Sequence, residues 1–349
     1  MGEDFSSRLL NRLSRAKSLI KTGGWAGKML RFFDEIKDEL DTVERELHKA
    51  VKTPDPLMTE SSTHLLKAGG KRLRPALSLL GGKCDPHFEL EKVLPLAVAL
   101  EMIHMATLVH DDVVDASLTR RGKPTVKARW GNRLSTHLGD YLFARALILV
   151  STCGQPLVPR VLADTSVKMC EGEIEQISTC FDTGQTVKDY FYRINRKTAL
   201  LIAASCQLGA AACGAPAKVH QALRRFGHYI GMAFQITDDV LDLVADQQQL
   251  GKPVGSDLRQ GIITLPVIYA LENSPRQDCL RQLVFAPVKD EDLVYRTIGL
   301  IGECGGIAYS VRIAQQYIHK AKRELQFLPD RPARKTLSLI ADFVSRRNF

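Results

Sequence analysis

Cysteine pairs at metal-ligand spacing are missing from this chain. None of its 8 cysteines forms a C-x-x-C, which excludes zinc ribbons and thioredoxin-like redox motifs. Most of the eight lie in apolar segments, where a free thiol behaves as a small hydrophobe. With no secretory signal in view, the expected setting is reducing and cytoplasmic. Aromatic residues make up only 7% of the chain, and no basic strand is studded with them, so the +9 net charge is not read as a nucleic-acid surface. No run of about 18 uncharged apolar residues occurs, so no membrane span is expected. Segment 199–217 comes closest, but its Ser, Gln and Gly suit a packed core helix. Strand-like alternation, repeats and Pro/Ser/Gly-rich linkers are scarce or absent. The 349 residues are therefore read as one domain, 1–349.

What is present is helical periodicity. Phe33, Ile36, Leu40, Val43 and Leu47 recur at intervals of three and four, predicting a helix over 32–51. A short helix is expected over 61–68, stopped by Gly69-Gly70. Segment 93–115 is nearly all apolar and should be buried on most sides. Further helices fit 133–152, 159–181, 187–213, 217–244 and 261–271, and more follow from 290 to the end. The expected class is all-α, a helical bundle around a deep central cavity. Residues 1–25 form a basic amphipathic extension, with Arg8, Arg12, Arg15 and Lys17 alternating with Leu9, Leu13, Ala16 and Ile20. This extension is read as lying on the fold, on a partner or on a membrane surface.

Two acidic clusters of one design stand far apart: Asp111-Asp112-Val113-Val114-Asp115 and Asp238-Asp239-Val240-Leu241-Asp242. The outer carboxylates of each are i and i+4, on one helical face, where like charges repel. A single such cluster is usually a solvated acidic face. Two copies, both with apolar flanks and basic neighbours, call for something positive between the carboxylates. Hard oxygen ligands open to a phosphorylated substrate suit Mg²⁺.

The basic neighbours are Gly69-Gly70-Lys71-Arg72-Leu73-Arg74-Pro75, Arg120-Arg121-Gly122-Lys123-Pro124, Lys197-Thr198, and the loop Gly251-Lys252-Pro253. The first is not a P-loop, because Leu65 stands where its first Gly would be and Arg72 replaces the Ser/Thr. Each alone would pass for an ordinary exposed turn. Beside carboxylate clusters they read as diphosphate clamps. His104 is two helical turns before Asp111 on a similar face, so substrate contact and a satisfied core histidine both remain open.

Taken in order, these motifs resemble the trans-isoprenyl diphosphate synthases (polyprenyl synthetases). The matching pieces are GGKRLRP at 69–75, EMIHMATLVHDDVVD at 101–115, RRGKPT at 120–125, RKTALL at 196–201, FQITDDVLD at 234–242 and GKPVGSDL at 251–258. Within the family the likeness is greatest to the large catalytic subunit of two-component heptaprenyl synthases. The resemblance implies an isoprenoid-synthase-type bundle. It also implies elongation of an allylic diphosphate by isopentenyl diphosphate, giving a long prenyl chain of the kind used for quinone side chains. Asp111 and Asp115 would bind two Mg²⁺ and Asp238 a third, with Asp112, Asp239 and Asp242 in support. Arg120, Lys197 and Lys252 would hold the allylic diphosphate. Lys71, Arg74, His104 and Arg121 would hold the isopentenyl diphosphate. Thr198 and Gln235, next to Phe234, would turn oxygen dipoles toward a developing carbocation. The resemblance further implies a homodimer, or a heterodimer with a small regulatory subunit, and a product whose solubility favours transient membrane contact.

One position departs from the family. Ile262 stands where a Lys is common, in Gly261-Ile262-Ile263-Thr264-Leu265-Pro266. This leaves open a weaker allylic site or help from a partner. Small Ala106 and Thr107 lie just before Asp111 and leave a tunnel open toward Ile103, about 12 Å below at 1.5 Å per residue. The expected product is about C30–C40, centred on C35. Medium-chain or geranylgeranyl synthesis is the alternative. A non-catalytic subunit would have degenerate Asp motifs, and a coiled-coil protein would need sustained heptads. A terpene cyclase would have no use for the GGKRLRP site.

Overall fold

The computed structural model describes residues 33–245, 253–286 and 290–346. Lys252 and the 1–25 extension lie outside the described residues. A 3₁₀ turn, Asp34–Ile36, leads into α1 (Lys37–Ala50), α2 (Pro56–Lys67), α3 (Leu73–Lys83) and α4 (Leu90–Val114). A two-stranded hairpin follows, β1 (Thr119–Arg120) and β2 (Lys123–Pro124), then α5 (Val126–Ser151), α6 (Leu157–Ser178) and α7 (Val187–Ile194). One π-helical turn, Asn195–Ala199, joins α7 to α8 (Leu200–Ala212). Then come α9 (Ala217–Val244), α10 (Ser256–Arg259), α11 (Leu265–Asn273), α12 (Gln277–Phe285), α13 (Glu291–Glu303), α14 (Gly306–Glu324) and α15 (Pro332–Arg346). The class is all-α, as the periodicity predicts.

Local chemistry sets the ends. Asp55 accepts from the Met58 N–H at 2.8 Å and Pro56 takes the first helical position, so α2 begins earlier than its apolar pattern suggests. Thr125 caps α5 through the Ala128 N–H, and Gly131 interrupts that helix with a φ of 82°. The helix expected over 261–271 starts later, at Leu265, because Gly261 has a φ of 74° and Thr264 is extended. The hairpin was not anticipated. Its tip is Arg121-Gly122, with φ of 54° and 73°, the positive pair that a two-residue turn requires.

Helix α4 is apolar all round and packs against α5, α3, α8 and α1. It is the one described helix long and apolar enough to cross a membrane, a rank the sequence reading gave to 199–217. Two thirds of its most apolar stretch is buried inside the bundle, as expected of a core helix. Helix α9 joins two hydrophobic clusters. Phe226, Ile230 and Ala233 belong to one, while Met232, Ile236 and Leu243 belong to the other.

Helices α3 and α8 touch backbone to backbone. A Cβ on Gly209 would strike the Ser78 carbonyl, and one on Gly81 the Cys206 carbonyl. Gly209→Ala should therefore cost about 1–3 kcal/mol in denaturant melts, the usual penalty of overpacking. Gly302→Ala, whose nearest neighbour would be Ile307 Cδ1 at 3.8 Å, should be neutral or stabilising by up to about 1 kcal/mol. Equal melts for the two variants would refute this packing account.

Candidate active site

The last turns of α4 carry Asp111, Asp112 and Asp115. Asp112 is buried and accepts from Arg120 Nε at 2.8 Å. Asp111 and Asp115 are half-buried on the neighbouring face. Burial pushes Asp111 up to about 6, against the pull of Lys197 and with Glu173 and Asp115 adding to the push. Asp115 is raised as well, chiefly by burial. Ala116 ends the helix with a φ of 52°, and the Ser117 N–H returns to the Asp112 carbonyl at 3.0 Å.

Lys197 and Thr198 sit in the π turn between α7 and α8, a distortion often found at functional sites. Two glycines clamp the turn. A Cβ on Gly172 of α6 would collide with Arg196, and one on Gly231 of α9 with Ala199. Burial opposes the charge on Lys197, but Glu173 and Asp111 more than offset it, so its pKa is raised. Its ammonium donates to Glu173 at 2.9–3.0 Å.

Across the turn, α9 presents Phe234, Gln235 and the second acidic cluster. Thr198 Oγ1 donates to Gln235 Oε1 at 2.6 Å, and Gln235 Nε2 donates to Asp239 Oδ1 at 2.8 Å. Asp239 is buried and also accepts from the Tyr190 hydroxyl at 2.7 Å. Burial, with the charge of Asp257 added, raises the Asp239 pKa. Asp242 accepts from the Gly255 N–H with its carbonyl (2.8 Å) and from the Asp257 N–H with its carboxylate (3.1 Å). Asp238 stays half-buried on the helix. Asp257 exerts its charge on both Asp115 and Asp239, which ties the two acidic clusters to one locale.

A second cationic centre lies around Glu101, a buried carboxylate on α4. Arg72, at a φ of 48°, donates to Glu101 at 3.1 Å and grips Glu44 of α1 at 2.7 and 3.0 Å. Burial pushes Arg74 down to about 10, eased by Glu101 and reinforced by Arg121. The buried Arg74 Nε has no hydrogen-bond partner, leaving a donor available to an anion. Burial, then Arg74, Arg121, Arg120 and Arg72, hold His104 well below the usual histidine range, so its imidazole is neutral. Gly70 lets Arg72 and Arg121 close in, since a Cβ there would lie 2.7 and 2.9 Å from their guanidinium nitrogens. Lys71 and Phe234 border one small cavity with Leu73, Ile340 and Phe343, which brings α15 up to the site.

The residues singled out from the sequence therefore gather in two adjoining places, apart from Lys252, which is outside the described residues. Arg120 and Arg121, consecutive at the hairpin, serve different places: one holds Asp112, and the other faces Glu101. His64 Nε2 donates to the Pro124 carbonyl at 2.8 Å and fixes the hairpin to α2. Sequence reasoning missed Glu101, Glu173 and Tyr190. Glu101 had a signal: it is the lone charged residue between Val93 and Val109, and a buried carboxylate needs partners.

The polyprenyl synthetase family model matches residues 55–300, which span every motif described above. The chain belongs to that family. It is similar to heptaprenyl diphosphate synthase component 2 of Bacillus subtilis, 46% identical over 90% of this chain and 89% of that protein. A crystal structure of heptaprenyl diphosphate synthase from Staphylococcus aureus superposes with a TM-score of 0.84 at 36% identity, covering 89% of this chain and 98% of that one. Polyprenyl synthase from Caulobacter crescentus, crystallised with calcium and isoprenyl diphosphate, gives 0.87 at 33% identity, covering 92% and 98%.

The donor set fits the family's Mg²⁺. Asp111 and Asp115 offer hard oxygens one turn apart, at a cost in desolvation and repulsion that a dication would relieve. Among the described residues no three Asp, Glu, His or Cys side chains converge as a self-sufficient metal site. Mg²⁺ is commonly held by one or two carboxylates while phosphates and water complete its shell. A metal favours the carboxylate over the acid, so binding must lower the Asp111 pKa. A carbon-13 NMR titration should find Asp111 near 6 in the metal-free protein. Adding Mg²⁺ and inorganic pyrophosphate should move that midpoint down by about a unit or more. An unmoved midpoint would take Asp111 out of the metal site.

Proposed function

We propose that this chain is a long-chain trans-prenyl diphosphate synthase. It would extend an allylic diphosphate, with farnesyl diphosphate the expected starter, by successive isopentenyl diphosphates to about C35, a length the small Ala106 and Thr107 below Asp111 would allow. The observation that supports the reading is the pair of adjoining charged centres, with Arg120 on Asp112 and Arg121 toward Glu101, each suited to one diphosphate. A cyclase handles one diphosphate, whereas chain elongation must hold two.

In this reading Arg120, Lys197 and Lys252 hold the allylic diphosphate. Lys71, Arg74, Arg121 and the neutral His104 hold the isopentenyl diphosphate. About three Mg²⁺, held by Asp111 and Asp115 on one side and Asp238 on the other, would neutralise the charge that grows on the leaving group. Fixed cations stabilise that charge more in the transition state than in the ground state, so they raise the rate and not only the affinity. Thr198 and Gln235 present oxygens to the allylic cation, and the departing diphosphate takes the proton. Ile262, whose N–H is held by the Asp257 carbonyl at 2.9 Å, supplies no charge, so the allylic site has one cation fewer than many relatives.

The name component 2 in the B. subtilis relative supports a second component here. Val167, Ile174 and Ile177 on α6, and Leu147 and Ile148 on α5, are exposed apolar side chains that a partner subunit would cover.

Incubation with farnesyl diphosphate, labelled isopentenyl diphosphate and Mg²⁺ should yield products of about C30–C40. Formation from the chain alone would establish self-sufficiency, and formation only after adding a small second subunit would establish an obligate partner. No product in either case would defeat the reading. Ala106 and Ile103 are buried on α4. Ala106→Phe should shorten the product by one or more isoprene units, and an unchanged chain length would disprove the tunnel along that face.

A further inference from the structure

A chain of four side chains, three buried and Gln235 half-buried, runs from Tyr190 on α7 to Thr198 in the π turn. Each link is short: Tyr190 to Asp239 is 2.7 Å, Asp239 to Gln235 is 2.8 Å, and Gln235 to Thr198 is 2.6 Å. Tyr190 is wholly buried and stands outside every motif named in the sequence. We propose that Tyr190 is a positioning residue that sets the polarity of this chain and so turns the Thr198 oxygen lone pairs, not its hydrogen, toward the reacting allylic carbon. The proposal deepens the prenyltransferase reading and rests on it.

Asp239 accepts the Tyr190 hydroxyl on Oδ2 and the Gln235 amide N–H on Oδ1. The amide is thereby held with its N–H side toward Asp239. Its carbonyl then faces Thr198 and can only accept, so the Thr198 hydrogen is spent on Gln235. What remains on Thr198 is oxygen lone pairs, the correct sign for a developing carbocation. Without Tyr190, Asp239 loses the donor that holds Oδ2, its carboxylate can swing off Gln235, and an amide with no acceptor on its N–H side can turn over. A flipped amide would donate to Thr198 and release its hydrogen toward the cation, the wrong sign. Thr198 is 8% exposed and has little water to re-orient it.

The test compares two unreactive farnesyl analogues by calorimetry with Mg²⁺: an ammonium analogue with charged nitrogen near the reacting carbon, and neutral farnesyl thiolodiphosphate. The wild-type chain should prefer the ammonium analogue. Tyr190→Phe should cut that preference about tenfold while leaving the neutral analogue within about twofold, because only the cation senses the hydroxyl orientation. In the double variant with Thr198→Val the two losses should not add, since both act through one oxygen. An unchanged preference in Tyr190→Phe, equal loss for both analogues, or additive losses would each overturn the proposal. Equal loss would make Tyr190 merely structural. A wild-type chain that binds both analogues without preference would refute the proposal but spare the synthase reading. A chain that binds neither would bring down both.

Discussion

Like charges held close together in a desolvated bundle are the constraint that the other features serve. Asp111 and Asp115 repel across one turn, and Arg72, Arg74 and Arg121 crowd a single carboxylate. Unpaired, such groups would cost several kcal/mol each. The protein offsets that cost with counter-charges drawn from other helices: Glu173 for Lys197, Glu101 and Glu44 for Arg72, and Asp112 for Arg120. Each counter-charge also fixes a direction, so the cations are in place before an anion arrives.

The two acidic clusters repeat one plan. In both, the second aspartate is buried and turned away from its neighbours to fix a partner: Asp112 holds Arg120, and Asp239 holds Gln235 and Tyr190. The outer residues Asp111, Asp115 and Asp238 stay half-buried, and the plan departs only at Asp242, which is buried and accepts from the Gly255 and Asp257 N–H groups. Adjacent helical positions differ by about 100° around the axis, which is why one cluster can serve both a ligand and the scaffold.

Strain is concentrated beside these groups. Arg72, Ala116 and Arg121 all occupy the left-handed region, and each adjoins a charged group of the site. The π turn, squeezed between Gly172 and Gly231, adds a fourth irregularity at Lys197 and Thr198. Such conformations persist only where packing over-determines them. The closely packed helices α3, α8 and α9 supply that packing.

Much of this was legible in the chain. Helical period fixed the class, and α9 matches its expected limits. The carboxylate spacing and the basic motifs named the site, because i, i+4 geometry and charge are local properties. Other features depended on contacts between segments distant in sequence. The uniform periodicity of 187–213 gave no sign of the π turn, which packs closely against glycines on two other helices. Nor could it reveal that Arg120 and Arg121 part company, since their partners come from different positions on α4. The sequence by itself determined which charges this protein must accommodate. Only the tertiary structure decided which of them pair, because a hydrogen bond depends on distance and direction and not on residue type alone.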